Sequence, residues 1–153
     1  MPVEFYTFLC AMLPLGELRL SIPLAIGLYH LSPLKAYFLS IFGNILPVIF
    51  LCLFLERISR YLSGRIYFFN RLFAWLFEKT RRHHQKKFEI FKQFALVILV
   101  ALPFPFTGAW TGALCAFVFG IPPKRAILLI FGGVMIAGMI VTLSTLKILT
   151  FIH

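Results

Sequence analysis

Charge is scarce in this 153-residue chain: 13% of the residues are Asp, Glu, Lys or Arg, and only five are acidic. Residues 36–55 and 126–146 carry no charge over 20 and 21 positions, and residues 94–121 carry none over 28. Such runs exclude an ordinary soluble domain and reach the length needed to cross roughly 30 Å of hydrocarbon. The three cysteines, Cys10, Cys52 and Cys115, form no Cys-x-x-Cys pair. That spacing speaks against a zinc site or a disulfide framework and leaves buried, inert thiols. No Ser-His-Asp or Cys-His constellation and no phosphate loop is present, so no enzyme chemistry, metal or cofactor is expected. The start, MPVEF, has no basic residue before its apolar run and no small-residue cleavage site, so no removable signal peptide is expected.

What the chain does have is apolar surface: 61% of residues are hydrophobic and 17% aromatic, with a mean hydropathy of +0.94. It reads as an all-α integral membrane protein, with residues 34–55 and 124–150 as spanning helices. The net charge is +10. Ten of the fifteen basic residues fall between Glu56 and Gln93: Arg57, Arg60, Arg65, Arg71, Lys79, Arg81, Arg82, Lys86, Lys87 and Lys92. Loops rich in Lys and Arg stay on the cytoplasmic side of the cell membrane and are drawn to anionic lipid headgroups. Ile58, Leu62, Ile66, Phe69, Phe73 and Leu76 add an apolar stripe at helical spacing, so residues 56–93 read as a basic amphipathic interfacial segment rather than a nucleic-acid site. His83 and His84 fall in the same run and read as solvated.

Shifted by 89 residues, the chain falls into register with itself. Leu13-Pro14 meets Leu102-Pro103, Pro33-x-Lys35 meets Pro122-x-Lys124, and Leu39-x-Ile41-Phe42-Gly43 meets Leu128-x-Ile130-Phe131-Gly132. Residues 1–55 and 94–153 are therefore read as two repeats. Each has a long apolar stretch broken near its middle (residues 4–30 and 94–121), a Pro-x-Lys turn and an unbroken span. As one helix, residues 94–121 would be about 42 Å long and would overshoot the hydrocarbon. The breaks are assigned to Pro14 and Pro23 in the first repeat and to Pro103 and Pro105 in the second.

Two topologies fit: four crossings with kinked spans, or two re-entrant hairpins each followed by one crossing. Four crossings would put Lys124 and Arg125 on the outer face, whereas hairpins keep them inside, so the charge distribution favours hairpins. The two repeats are then inverted copies whose broken segments meet near the midplane, a plan used by transporters.

The stretches "PFPFTGAWTGALCAFVFG" (103–120) and "GELRLSIPLAIG" (16–27) resemble the small multidrug export protein family, related to the DedA-like superfamily of membrane proteins. The resemblance implies paired re-entrant hairpins packed face to face. For the wider superfamily it implies proton-coupled transport or flipping of phosphate-bearing lipids such as polyprenyl phosphates. The better-known branch carries arginines in the second hairpin; here there is no charge between Phe94 and Pro123, and Arg19 is the one arginine at depth.

An ionised residue inside a membrane requires a partner or water, and is functional by default. Glu17 and Arg19 would diverge by about 200° on a helix but share a side if extended, and the flanking Pro14 and Pro23 are expected to keep the segment out of a helix. Arg19 is then the binder of an anionic group, and Glu17 is the group that carries a proton. Thr107, Gly108, Trp110, Thr111 and Gly112 lie where the second hairpin's returning half-helix starts, so backbone N–H groups there can hold an anion. Ser21, with Ile22, is expected to offer the same in the first hairpin. Simple capping by the threonines and close packing at the glycines are the competing readings. Asn44 and Pro47, inside the first span, read as structural.

The sequence thus favours a proton-coupled transporter or flippase of an anionic, lipid-phosphate substrate. The alternatives are export of lipophilic cations, with Glu17 as the competing carboxylate, and a scaffold that transports nothing. A chain this short encloses a polar cavity poorly by itself, so a homo-oligomer is expected.

Overall fold

Proline and glycine set the element boundaries seen in the structure, a computed structural model that describes residues 2–62, 71, 85–102 and 107–153. Every regular element among these residues is a helix. α1 (Val3–Met12) ends because Leu13 precedes Pro14 and is pushed to extended values, φ −72° and ψ 137°. A short turn through Gly16 leads into α2 (Glu17–Gly27), which opens on Glu17 at φ 47°, in the left-handed region. α3 (Pro33–Leu62) and α6 (Pro123–Ile152) both start on a proline, whose missing N–H costs nothing in a first turn. α4 (Gln85–Ala101) leads into the second break, and α5 (Ala109–Val118) leaves it. Gly120, at φ 71°, closes α5 by letting Ile121 N–H reach the Ala116 carbonyl at 2.9 Å.

Two expectations change here. Pro23 does not break the chain: it lies inside α2, where it leaves the Arg19 carbonyl without its helical donor. The segment from Glu17 onward is therefore helical, not extended. Nor does residue 56 begin a new element, since α3 runs on to Leu62, and α4 begins at Gln85, before the basic run ends at Lys92. Pro103, Pro105 and most of the basic run, including Arg65, Lys79, Arg81, Arg82 and the stripe residues Ile66, Phe69, Phe73 and Leu76, lie outside the described residues.

The packing relations come in matched sets. Within the first half α1, α2 and α3 all touch one another, and within the second so do α4, α5 and α6. Between the halves α3 packs on α6, α2 on α6 and α3 on α5. Small residues permit these approaches. At Gly43 a Cβ would stand 2.6 Å from the Phe8 carbonyl oxygen, so α1 and α3 touch backbone to backbone. In the second half the equivalent contact falls on Gly133, where a Cβ would stand 2.8 Å from the Val100 Cβ. Gly132, the residue in register with Gly43, faces open space.

Ile22, Val48, Leu96, Val100, Ile130 and Val134 fill the core between the halves. Outside it the surface stays apolar, with Phe42, Phe50, Phe54, Leu128 and Leu143 all exposed. α3, from Pro33 to Ile58, and α6, from Pro123 to Ile152, are long and apolar enough to cross a membrane. Thr142, Ser144, Thr145 and Thr150 donate their hydroxyls to carbonyls four residues back, so α6 carries them on an apolar exterior with their donors satisfied.

Candidate functional site

The two breaks meet, and Glu17 and Arg19 join them. Both Glu17 carboxylate oxygens accept from the first turn of α5: Oε2 from Ala109 N–H and Oε1 from Trp110 N–H, each at 3.3 Å. These N–H groups have no partner within the helix and carry the positive end of its dipole, so a carboxylate is the matching ligand. Gly108 makes the approach feasible, because a Cβ there would collide with the carboxylate itself.

Arg19 reaches the other side of the same break. Its Nη2 donates to the Leu102 carbonyl at 2.9 Å, to the Thr107 hydroxyl at 3.0 Å and to the Thr107 carbonyl. The Thr107 hydroxyl in turn donates to the Leu102 carbonyl at 2.9 Å. Leu102 directly follows α4, so the guanidinium sits at that helix's negative end. Each charge of the first broken segment is thus placed on a helix end of opposite sign in the second. The 200° divergence expected of a helical pair does not separate them, because Glu17 stands at the left-handed first position of α2 and α4 and α5 present their ends side by side.

Among the residues expected to form the site, Thr107, Gly108 and the Trp110 backbone are brought to Glu17 or Arg19. Others serve elsewhere. Ser21 is fully buried and donates its hydroxyl to Ser40 at 2.7 Å, fastening α2 to α3. It is also four residues into α2, so the helix start expected near Ser21 and Ile22 lies at Glu17 instead. Gly112 packs α5 against α4, with a Cβ there only 2.5 Å from Val100 Cγ2. Thr111 is half-buried on the first turn of α5.

The structure adds Asn44 to the site. Its amide lies beside the Glu17 carboxylate, on α3, and is 1% exposed. Neither Oδ1 nor Nδ2 meets hydrogen-bond geometry with any described residue, and the Trp110 Nε1 is likewise buried without a partner. A polar residue in the middle of a charge-free span was the visible signal, but its neighbour, 27 positions away, was not. Lys92 is a second addition: 7% exposed, it bonds Glu89 at 2.9 Å and the Phe119 carbonyl at 3.1 Å, tying α4 to the end of α5. A cavity of about 270 Å³, lined by Cys52, Glu56, Ala113, Phe117 and Pro122 among others, lies at that opposite end of α5.

No curated protein and no solved structure matches the chain. Residues 17–140 match the family described as "Putative small multi-drug export protein", beginning at Glu17, just after the first break, and taking in the second break, all of α3 and α6 as far as residue 140. On a match that spans most of its length, joined to two helices fit to cross a bilayer, this chain is a membrane protein and belongs to the small multi-drug export protein family.

Proposed function

We propose that the protein is a proton-coupled transporter of an anionic, phosphate-bearing or other lipid-linked amphiphile, working where two re-entrant hairpin tips meet. The observation that carries this reading is the Glu17 carboxylate seated on the Ala109 and Trp110 N–H groups. Those donors hold one oxyanion already, and a substrate oxyanion of similar shape suits them equally. Arg19 supplies the fixed positive charge beside them, and Thr107, Gly108 and Trp110 shape the entrance. Glu17, the deep carboxylate, is the proton carrier.

The hairpin topology is supported by length. α1, α2 and α5 have 10, 11 and 10 residues, hence about 15 Å each, half the hydrocarbon thickness. The matched packing of the two halves supports an inverted repeat, the plan shared with the DedA-like superfamily. In this reading residues 56–93 lie on the cytoplasmic leaflet against anionic lipids, and the exposed apolar faces of α3 and α6 meet lipid or a second copy of the chain.

The test is reconstitution in liposomes of phosphatidylethanolamine and phosphatidylglycerol with a fluorescent polyprenyl phosphate. Protein-dependent movement driven by a proton gradient, and lost in Glu17→Gln, is expected. Absence of such movement, or Arg19→Ala behaving as wild type, would sink the proposal. Export of lipophilic cations is the second reading, favoured by the family description. It predicts that cells carrying Glu17→Gln become sensitive to such cations, which anion transport does not.

A further inference from the structure

Asn44 is buried with both amide atoms unpartnered among the described residues. An amide left unpaired in a membrane interior is unfavourable, so it calls for a partner, a water or a group that another state of the protein brings to it. The Asn44 amide lies within reach of the Glu17 carboxylate, short of hydrogen-bond geometry, and that carboxylate is engaged chiefly by α5, and loosely. Charge-assisted N–H to carboxylate bonds usually run to about 2.7–2.9 Å, whereas those from Ala109 and Trp110 are 3.3 Å.

The chemistry of protonation discriminates among the groups around this carboxyl. Ionised, it only accepts; protonated, it has an O–H to place. The Ala109 and Trp110 N–H groups are donors, and so are the guanidinium of Arg19, two residues on along α2, and the Asn44 Nδ2 amide. Arg19 is the charged group acting on Glu17, and α1, α3, α5 and α6 bring it no other charge among the described residues. Among the described groups that act on Glu17, the Asn44 amide, on α3, is the one that also carries an acceptor, its Oδ1.

We infer that Asn44 receives the proton-bearing form of Glu17: taking a proton from water, the carboxyl turns from the start of α5 to Asn44 Oδ1, and the freed Ala109 and Trp110 N–H groups take the oxyanion of the substrate. Asn44 is thus a positioning residue that links proton uptake to anion binding. This rests on the anion-transport reading and deepens it, since the protein's own carboxylate competes with the substrate for one pair of donors. The ligand class is an amphiphile ending in a carboxylate or a phosphate monoester.

The experiment uses the full chain in phosphatidylethanolamine liposomes, with decyl phosphate and decanoate as probes and pH as the variable. Wild type is expected to bind one probe or both more tightly as pH falls, the tighter probe identifying the headgroup. Asn44→Leu is expected to lose about tenfold in affinity at the acidic end only, the worth of one ordinary hydrogen bond, and Asn44→Ser, which keeps an acceptor, to restore most of the profile. Infrared difference spectra give a readout that needs no ligand. The C=O band of protonated Glu17, identified by its loss in Glu17→Gln, is expected to shift in Asn44→Leu. An unchanged band, or an equal loss of affinity at every pH, overturns the role given to Asn44 and leaves anion transport standing. Failure of wild type to bind either probe overturns the transport reading and the ligand assigned with it, while the infrared band still judges where the proton goes. If Asn44→Leu does not fold, Asn44→Ala, which only deletes the amide, serves the same comparison.

Discussion

Gly108→Ala is the sharpest probe of the clasp between the two breaks. The backbone of Gly108, at φ 170° and ψ −168°, is extended and suits alanine without strain. The cost therefore comes from space alone, because the new Cβ would occupy the position of the Glu17 carboxylate. Displacing it breaks two bonds to a charged group, each worth roughly 1.5–3 kcal/mol, and their 3.3 Å length argues for the low end. A loss of about 3 kcal/mol is expected, read by reversible unfolding in mixed micelles followed by circular dichroism. Glu17→Ala removes the same two bonds, so the double variant should be little worse than either single one, with a coupling of about 2–3 kcal/mol in the cycle. Gly108→Ala within about 0.5 kcal/mol of wild type, or a cycle that is simply additive, would refute the clasp as the reason for a glycine at this position.

Two further outcomes are expected. Lys92→Met keeps the apolar stem but deletes the bond to the Phe119 carbonyl, so the end of α5 should lose about 1–3 kcal/mol of local stability; amide exchange at Gly120 and Ile121 should quicken, and unchanged protection would show that Lys92 does not hold the end of α5. Cysteines replacing Arg57 and Lys124, both exposed, in a chain otherwise free of cysteine should react with an impermeant maleimide from one side of the membrane, and labelling from opposite faces would establish four crossings instead of hairpins.

The helices were legible where backbone chemistry is local. Charge-free runs of spanning length announced α3 and α6, and Pro14 announced the end of α1, because a residue before proline is driven to extended values whatever surrounds it. Pro23 misled for the complementary reason. A proline inside a helix costs a donor and a steric clash, but both costs can be absorbed by tertiary packing, and α2 lies between α1, α3 and α6. The 89-residue register pointed to Gly43 and Gly132 as equivalents, yet Gly133 does the packing. Two adjacent glycines on one helix face directions about 100° apart, and only the partner helix decides which of them is used.

The charges at positions 17 and 19 show where reading from sequence stops. Their presence at depth marked a site, but their spacing invited a comparison of each with the other, as a pair sharing a cavity. The structure directs both outward from α2 to a segment some 90 residues away, and the match there is to helix ends, not to side chains. Helix dipoles are invisible until the chain folds, since the N–H groups of Ala109 and Trp110 and the carbonyl of Leu102 belong to every sequence alike. What distinguishes this break is that α4 stops and α5 starts within a few residues of one another, so one α2 turn can place a carboxylate on one end and a guanidinium on the other. The same geometry makes the site contestable. A charge held by backbone dipoles rather than by a counter-charge can be exchanged for another of the same sign without rebuilding any side chain, which is the property that the proposed transport of an oxyanion requires.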